Sequence, residues 1–107
     1  MTDESMLIQI NTDSNLDITV TLAAHIESIL RSELKYFSDQ ITRVEVHLSD
    51  ENSHKGGPDD KRCVLEARLK GHQPIAVTHQ ATTLDQVVSE AAEKMKRLIE
   101  NFLGKKK

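Results

Sequence analysis

Apolar residues recur along this chain with two different periods, and the changes of period divide it into six elements. Met6, Ile8 and Ile10 alternate with Leu7, Gln9 and Asn11, the two-residue repeat of a strand with one apolar face. The turn-forming run from Asn11 to Asn15 separates it from Leu22, Ile26, Ile29, Leu30, Leu34 and Phe37, which fall at helical spacing. With Thr19 or Thr21 as N-cap, this spacing predicts a helix over 19–37, broken by Asp39 and Gln40.

Val44, Val46 and Leu48 then alternate with Arg43, Glu45, His47 and Ser49, giving a second half-buried strand. The segment 50–60 has no apolar residue and contains Gly56, Gly57 and Pro58 in succession, which predicts a solvated, mobile hairpin loop. Cys63, Leu65, Ala67 and Leu69 alternate with Arg62, Val64, Glu66, Arg68 and Lys70 as a third strand. Gly71 and His72 make a tight turn, and Pro74 to His79 form a fourth strand, with Pro74 at a position that needs no ladder donor. Leu84, Val87, Val88, Ala91, Ala92, Met95, Leu98, Ile99 and Phe102 trace one stripe at intervals of three and four. That last helix opens on Thr82 or Thr83 and closes near Gly104.

The order is therefore β-α-β-β-β-α, an α+β fold. The last three strands have short connections and form an antiparallel meander, while the strand-helix-strand start brings the first strand beside them through a crossover. Each helix has one apolar stripe, so both cover the same side of a four-stranded sheet and leave its other face open. The 107 residues make one domain, 1–107, with an acidic loop at 50–60 and a basic tail at 104–107.

Composition narrows the function. One cysteine, Cys63, forms no disulfide within the chain and lies in an inward-facing pattern, so it is a core residue. The start at Met1 to Ser5 lacks a basic region and a long apolar run, no stretch reaches the length of a membrane span, and the expected location is the cytoplasm. Asp13, Asn15 and Asp17 have the spacing of a calcium loop, but Ile18 stands where its glycine is needed and Ala24 where its bidentate glutamate belongs. His25, His47, His54, His72 and His79 lack the paired spacing of a zinc site. No strained serine turn and no phosphate-cradling glycine loop is present, so no catalytic residue, metal, cofactor or small-molecule substrate is expected and the protein is read as a binding module.

The net charge of −3 hides an asymmetry: residues 1–60 hold 4 Lys/Arg and 12 Asp/Glu, whereas residues 61–107 hold 10 Lys/Arg and 5 Asp/Glu. Lys94, Lys96 and Arg97 lie on the last helix, Lys105, Lys106 and Lys107 extend it, and Lys61, Arg62, Arg68 and Lys70 line the third strand. Lysines at helix and chain ends are common as solvated charges, and Glu90, Glu93 and Glu100 interrupt this set; as a unit it suits phosphate contacts. An aromatic content of 3% rules out a sheet that stacks bases, since the outward residues of strands one and three are Leu7, Gln9, Arg62, Val64, Glu66 and Arg68. Backbone and shape recognition of structured RNA remains.

Three stretches carry a resemblance: Ile41 to Ser49 (ITRVEVHLS), Cys63 to Leu69 (CVLEARL), and Pro74 to Val88 (PIAVTHQATTLDQVV). In this element order they resemble the ribosome hibernation-promoting factor and ribosome-associated translation inhibitor family, also called ribosomal subunit interface or sigma-factor modulation proteins. The resemblance implies a fold like that of double-stranded-RNA-binding domains and a non-enzymatic protein that binds the small ribosomal subunit in the channel of messenger and transfer RNA, silencing idle ribosomes under stress. It places rRNA contacts at Arg31 and Lys35 on the first helix and at Lys94, Lys96 and Arg97 on the last, with Lys105, Lys106 and Lys107 as an extension. It also implies a short form, without the carboxyl-terminal dimerisation domain of long members. The alternative is a same-fold adaptor that binds protein or forms a homodimer through an edge strand or the open sheet face, motivated by the acidic half.

Overall fold

The computed structural model describes residues 6–13, 16–50 and 61–103. Its elements are β1 (Leu7–Thr12), α1 (Val20–Glu33), a 3₁₀ turn (Lys35–Phe37), β2 (Ile41–Asp50), β3 (Lys61–Leu69), β4 (Ile75–Ala81) and α2 (Leu84–Phe102). Asp50 ends β2, and the rest of the loop expected at 50–60 lies outside the described residues, as do Gly104 and the tail Lys105 to Lys107.

The sheet order is β1-β2-β3-β4. β1 runs parallel to β2 through the α1 crossover, and β2, β3 and β4 form the antiparallel meander. This is the β-α-β-β-β-α architecture the hydrophobic pattern predicts. Val44, Val46, Leu48, Cys63, Leu65, Ala67 and Leu69 are buried and share one sheet face, packed in a single core with Ile26 and Leu30 of α1 and the stripe of α2. Both helices therefore lie on that face. Burying each leucine or isoleucine side chain stabilises the fold by roughly 1.5–3 kcal/mol.

One strand breaks the alternation. Ile41 and Val44 are three residues apart, yet both are buried. The β2–β3 register shifts between Ile41, paired with Leu69, and Arg43, paired with Arg68. The extra residue, Thr42, forms a bulge that returns Ile41 to the core. Its Oγ1 donates to the Arg68 carbonyl at 3.2 Å. At this same end of the sheet, Gly71 takes φ +73° in the β3–β4 turn, a left-handed conformation that glycine adopts without a Cβ penalty.

The helix termini follow from their caps. Thr19 accepts from the Leu22 amide at 3.0 Å and Thr83 from the Gln86 amide at 3.1 Å, so these threonines, and not Thr21 or Thr82, open α1 and α2. The α1 stripe does not continue as one helix to residue 37: the α-helix ends at Glu33 and a 3₁₀ turn follows. Residues three apart eclipse in that geometry, so Leu34 and Phe37 both face the core while Tyr36 turns outward. Phe102 also leaves its predicted place. It is 48% exposed and stacks edge-on against His72, with ring centroids 4.9 Å apart, while Leu103 packs against the core instead.

Candidate nucleic-acid interface

The cations singled out by the sequence occupy different environments. Arg31 donates from Nε and Nη2 to Glu27 Oε2 at 3.1 and 2.9 Å and from Nη1 to the Met6 carbonyl at 3.0 Å, which ties α1 to the entry of β1. Lys94 donates to the Thr78 carbonyl of edge strand β4 at 2.7 Å. Arg97 pairs with Glu93 one helical turn away at 3.1 Å, both side chains well exposed. Such a surface pair contributes little stability and exchanges readily for another anion.

Lys35 and Lys96 have no partner among the described residues, and they line the same groove. Lys35 comes from the 3₁₀ turn after α1 and Lys96 from α2; the groove holds about 410 Å³ and is completed by Ser32, Glu33 and Tyr36. Lys105, Lys106 and Lys107 lie outside the described residues. The fold thus brings together Lys35 and Lys96, while Arg31 and Lys94 are held toward β1 and β4, the opposite edges of the sheet. Tyr36 escaped the sequence reading. The signal was the apolar pair Leu34 and Phe37 around it, which in 3₁₀ geometry sends the residue between them to solvent.

The open sheet face is organised by its own ion pairs. Arg43 Nε donates to Glu45 Oε2 at 2.8 Å, and His47 Nε2 lies 3.4 Å from Glu45 Oε1. The hydrogen bond from Arg43 is the main reason the Glu45 carboxyl titrates below its ordinary value. Glu66 sits directly across from Glu45, and Glu45, His47 and Glu66 present ligand atoms within 4.8 Å of one another. That set could hold a divalent cation, but the Arg43 guanidinium already neutralises the Glu45 carboxylate. At the β3–β4 turn a shallow concavity of about 590 Å³ is lined by Thr42, Arg68, Lys70, Gly71, His72 and Phe102, among others. Its Arg68 and Lys70 belong to the carboxyl-terminal half of the sequence, as do the cations of α2, but Arg68 alternates outward from the face the helices cover.

Two further groups mark the inner side. His79 Nε2 lies 2.7 Å from Glu90 Oε1, joining β4 to α2, and this hydrogen bond lowers the Glu90 pKa. The Cys63 thiol is pushed up to about 12 by burial, which leaves it a packing group and not a nucleophile. Among the described residues no helix is long and apolar enough to cross a membrane.

A mixed four-stranded sheet with two helices on one face, and a groove where Lys35 of the 3₁₀ turn meets Lys96 of α2, define a small α+β domain of β-α-β-β-β-α order. The chain belongs to the sigma 54 modulation protein / S30EA ribosomal protein family, whose model matches residues 8–107. Solved structures share the fold, two of them over nearly the whole chain. A ribosomal subunit interface protein from Coxiella burnetii superposes with a TM-score of 0.75 at 16% identity, covering 90% of this chain and 96% of that one. The N-terminal domain of Protein Y from Thermus thermophilus gives 0.69 at 19% identity, covering 92% of this chain and 99% of that one. No curated protein matches the chain by sequence.

Proposed function

We propose that this protein binds the small ribosomal subunit through rRNA phosphates and inhibits translation as a hibernation factor. The observation that carries the reading is the convergence of Lys35 and Lys96, from separate elements and without side-chain partners among the described residues, on one groove. Family membership supports a ribosomal target, and a neighbour of the same fold is described as a ribosomal subunit interface protein. Arg97 joins the contact by exchanging Glu93 for a phosphate, and the Lys105 to Lys107 tail extends it. Arg31 and Lys94 serve the same surface by fixing the helices to the sheet, with the Arg31 guanidinium and Lys94 ammonium adding to its potential.

Co-sedimentation with purified small subunits across a salt series tests this. Binding should weaken steeply with salt, and Lys35→Glu with Lys96→Glu should flatten the log-log slope by about 0.7–0.9 per lost phosphate contact. Pelleting at low salt no greater than that of an acidic control protein would overturn the reading, and a stable dimer in that case would favour the adaptor.

A further inference from the structure

We propose that Tyr36 is a stacking platform for one unpaired nucleobase, with Lys35 and Lys96 holding the phosphates on either side. The inference rests on the rRNA-binding reading above and names the substrate class of its groove: single-stranded RNA at a loop or bulge, not duplex. Tyr36 is 84% exposed, and its hydroxyl has no partner among the described residues. A single exposed aromatic is ordinary on a protein surface. What sets this one apart is its company. The chain's one tyrosine shares a groove with two lysines whose ammonium groups have no partner among the described residues, and the chain contains no tryptophan.

The backbone explains why the ring is available. Leu34 and Phe37 are anchored in the core, so the 3₁₀ turn between them is held, and Tyr36 is presented outward on a fixed base. A base stacked on the ring replaces water on an apolar surface, and stacking tolerates any base because each has a π-face. Charge complementarity selects the rest of the ligand, because the two ammonium groups that line the same groove suit the phosphates flanking the base. Glu33 and Ser32 complete the groove. The carboxylate disfavours a phosphate at its own position but accepts a hydrogen bond from an exocyclic amine, which cytosine offers and uracil does not. The site therefore reads a splayed nucleotide with its base over Tyr36 and its amine toward Glu33.

The chain's intrinsic emission provides the test, because with one tyrosine and no tryptophan it reports Tyr36 alone. Oligocytidylate of about ten nucleotides, within the span one small domain covers, should quench that emission on binding. An abasic backbone of equal length should not. Tyr36→Ala should weaken oligocytidylate binding about tenfold, Tyr36→Phe should stay within about twofold of wild type, and oligouridylate should bind less tightly than oligocytidylate. Equal quenching by the abasic strand, no quenching at all, or unchanged binding by Tyr36→Ala overturns the stacking site. The wild-type quenching experiment does not depend on how any variant folds. Sedimentation with small subunits runs in parallel. If the wild-type protein pellets but its tyrosine ignores RNA, the stacking site falls and the ribosome reading stands. If Tyr36→Ala pellets poorly while the oligonucleotide gives no quenching, Tyr36 meets a protein surface and the stacking site is overturned. If wild-type protein fails to pellet yet cytidylate quenches, the ribosome reading falls and the nucleotide site stands alone.

Discussion

Two regions of this molecule use the same residue types for opposite ends. At the seams between helices and edge strands, Arg31 and Lys94 spend their donors on the Met6 and Thr78 carbonyls, and His79 meets Glu90. In the groove between the 3₁₀ turn and α2, Lys35 and Lys96 bond to nothing in the described chain. A cation satisfied by its own backbone is part of the fold. One left without a partner keeps its full charge for a ligand, and its loss leaves no buried acceptor behind. The contrast teaches that counting basic residues along a helix overstates an interface, because some of them are already occupied.

The contrast can be broken most forcefully in the groove. Lys35→Glu with Lys96→Glu should reduce affinity for small subunits by roughly a hundredfold at moderate salt, two phosphate contacts at a slope of about 0.7–0.9 each plus the added repulsion, without moving the urea midpoint. A drop in the midpoint would show that these lysines belong to the fold after all. Arg31→Ala should do the reverse. Losing its bonds to Glu27 and the Met6 carbonyl should cost about 1–2 kcal/mol in urea unfolding, a figure reduced because the side chain is partly exposed. Its affinity for subunits, measured where it remains folded, should fall less than that of the groove variant.

The His79–Glu90 seam sharpens the comparison through pH. Glu90 titrates below its ordinary value of 4.5 because of the His79 hydrogen bond. A depressed carboxyl pKa stabilises the fold above the unfolded value, and that contribution is lost as pH falls through the folded one. The stability gap between wild type and Glu90→Gln should therefore be present near neutral pH and close progressively below about pH 4.5. A gap that persisted unchanged at pH 3 would remove the ionised carboxylate from the seam. The smallest effect belongs to Arg97→Ala, whose exposed pair with Glu93 should change stability by less than about 0.5 kcal/mol while still weakening subunit binding.

Most of the fold was legible from periodicity, and the exceptions have local causes. The three buried positions Val44, Val46 and Leu48 follow directly from alternation, but Ile41 has the wrong parity for the same face. It reaches the core only because a bulge at Thr42 adds a residue against β3, and a bulge has no signature in a two-residue repeat. The stripe of α2 reaches the core at Val87, Val88, Ala91, Ala92, Met95 and Ile99, leaves Leu98 only half-buried, and fails at Phe102, where His72 offers the ring a partner. The site was less legible. Lys35 and Lys96 stand 61 residues apart in sequence, and nothing local to either says that their charges meet.

By itself the sequence determined the elements, their order, the shared apolar face and the scarcity of aromatics, because these depend on periods and propensities within a few residues of chain. Only the tertiary structure decided which cations are spent. Whether Arg31 finds the Met6 carbonyl, Lys94 the Thr78 carbonyl, or Lys35 and Lys96 a shared groove is set by distances between elements brought together by packing. A hydrogen bond forms or fails over a few tenths of an ångström, a scale on which periodicity is silent.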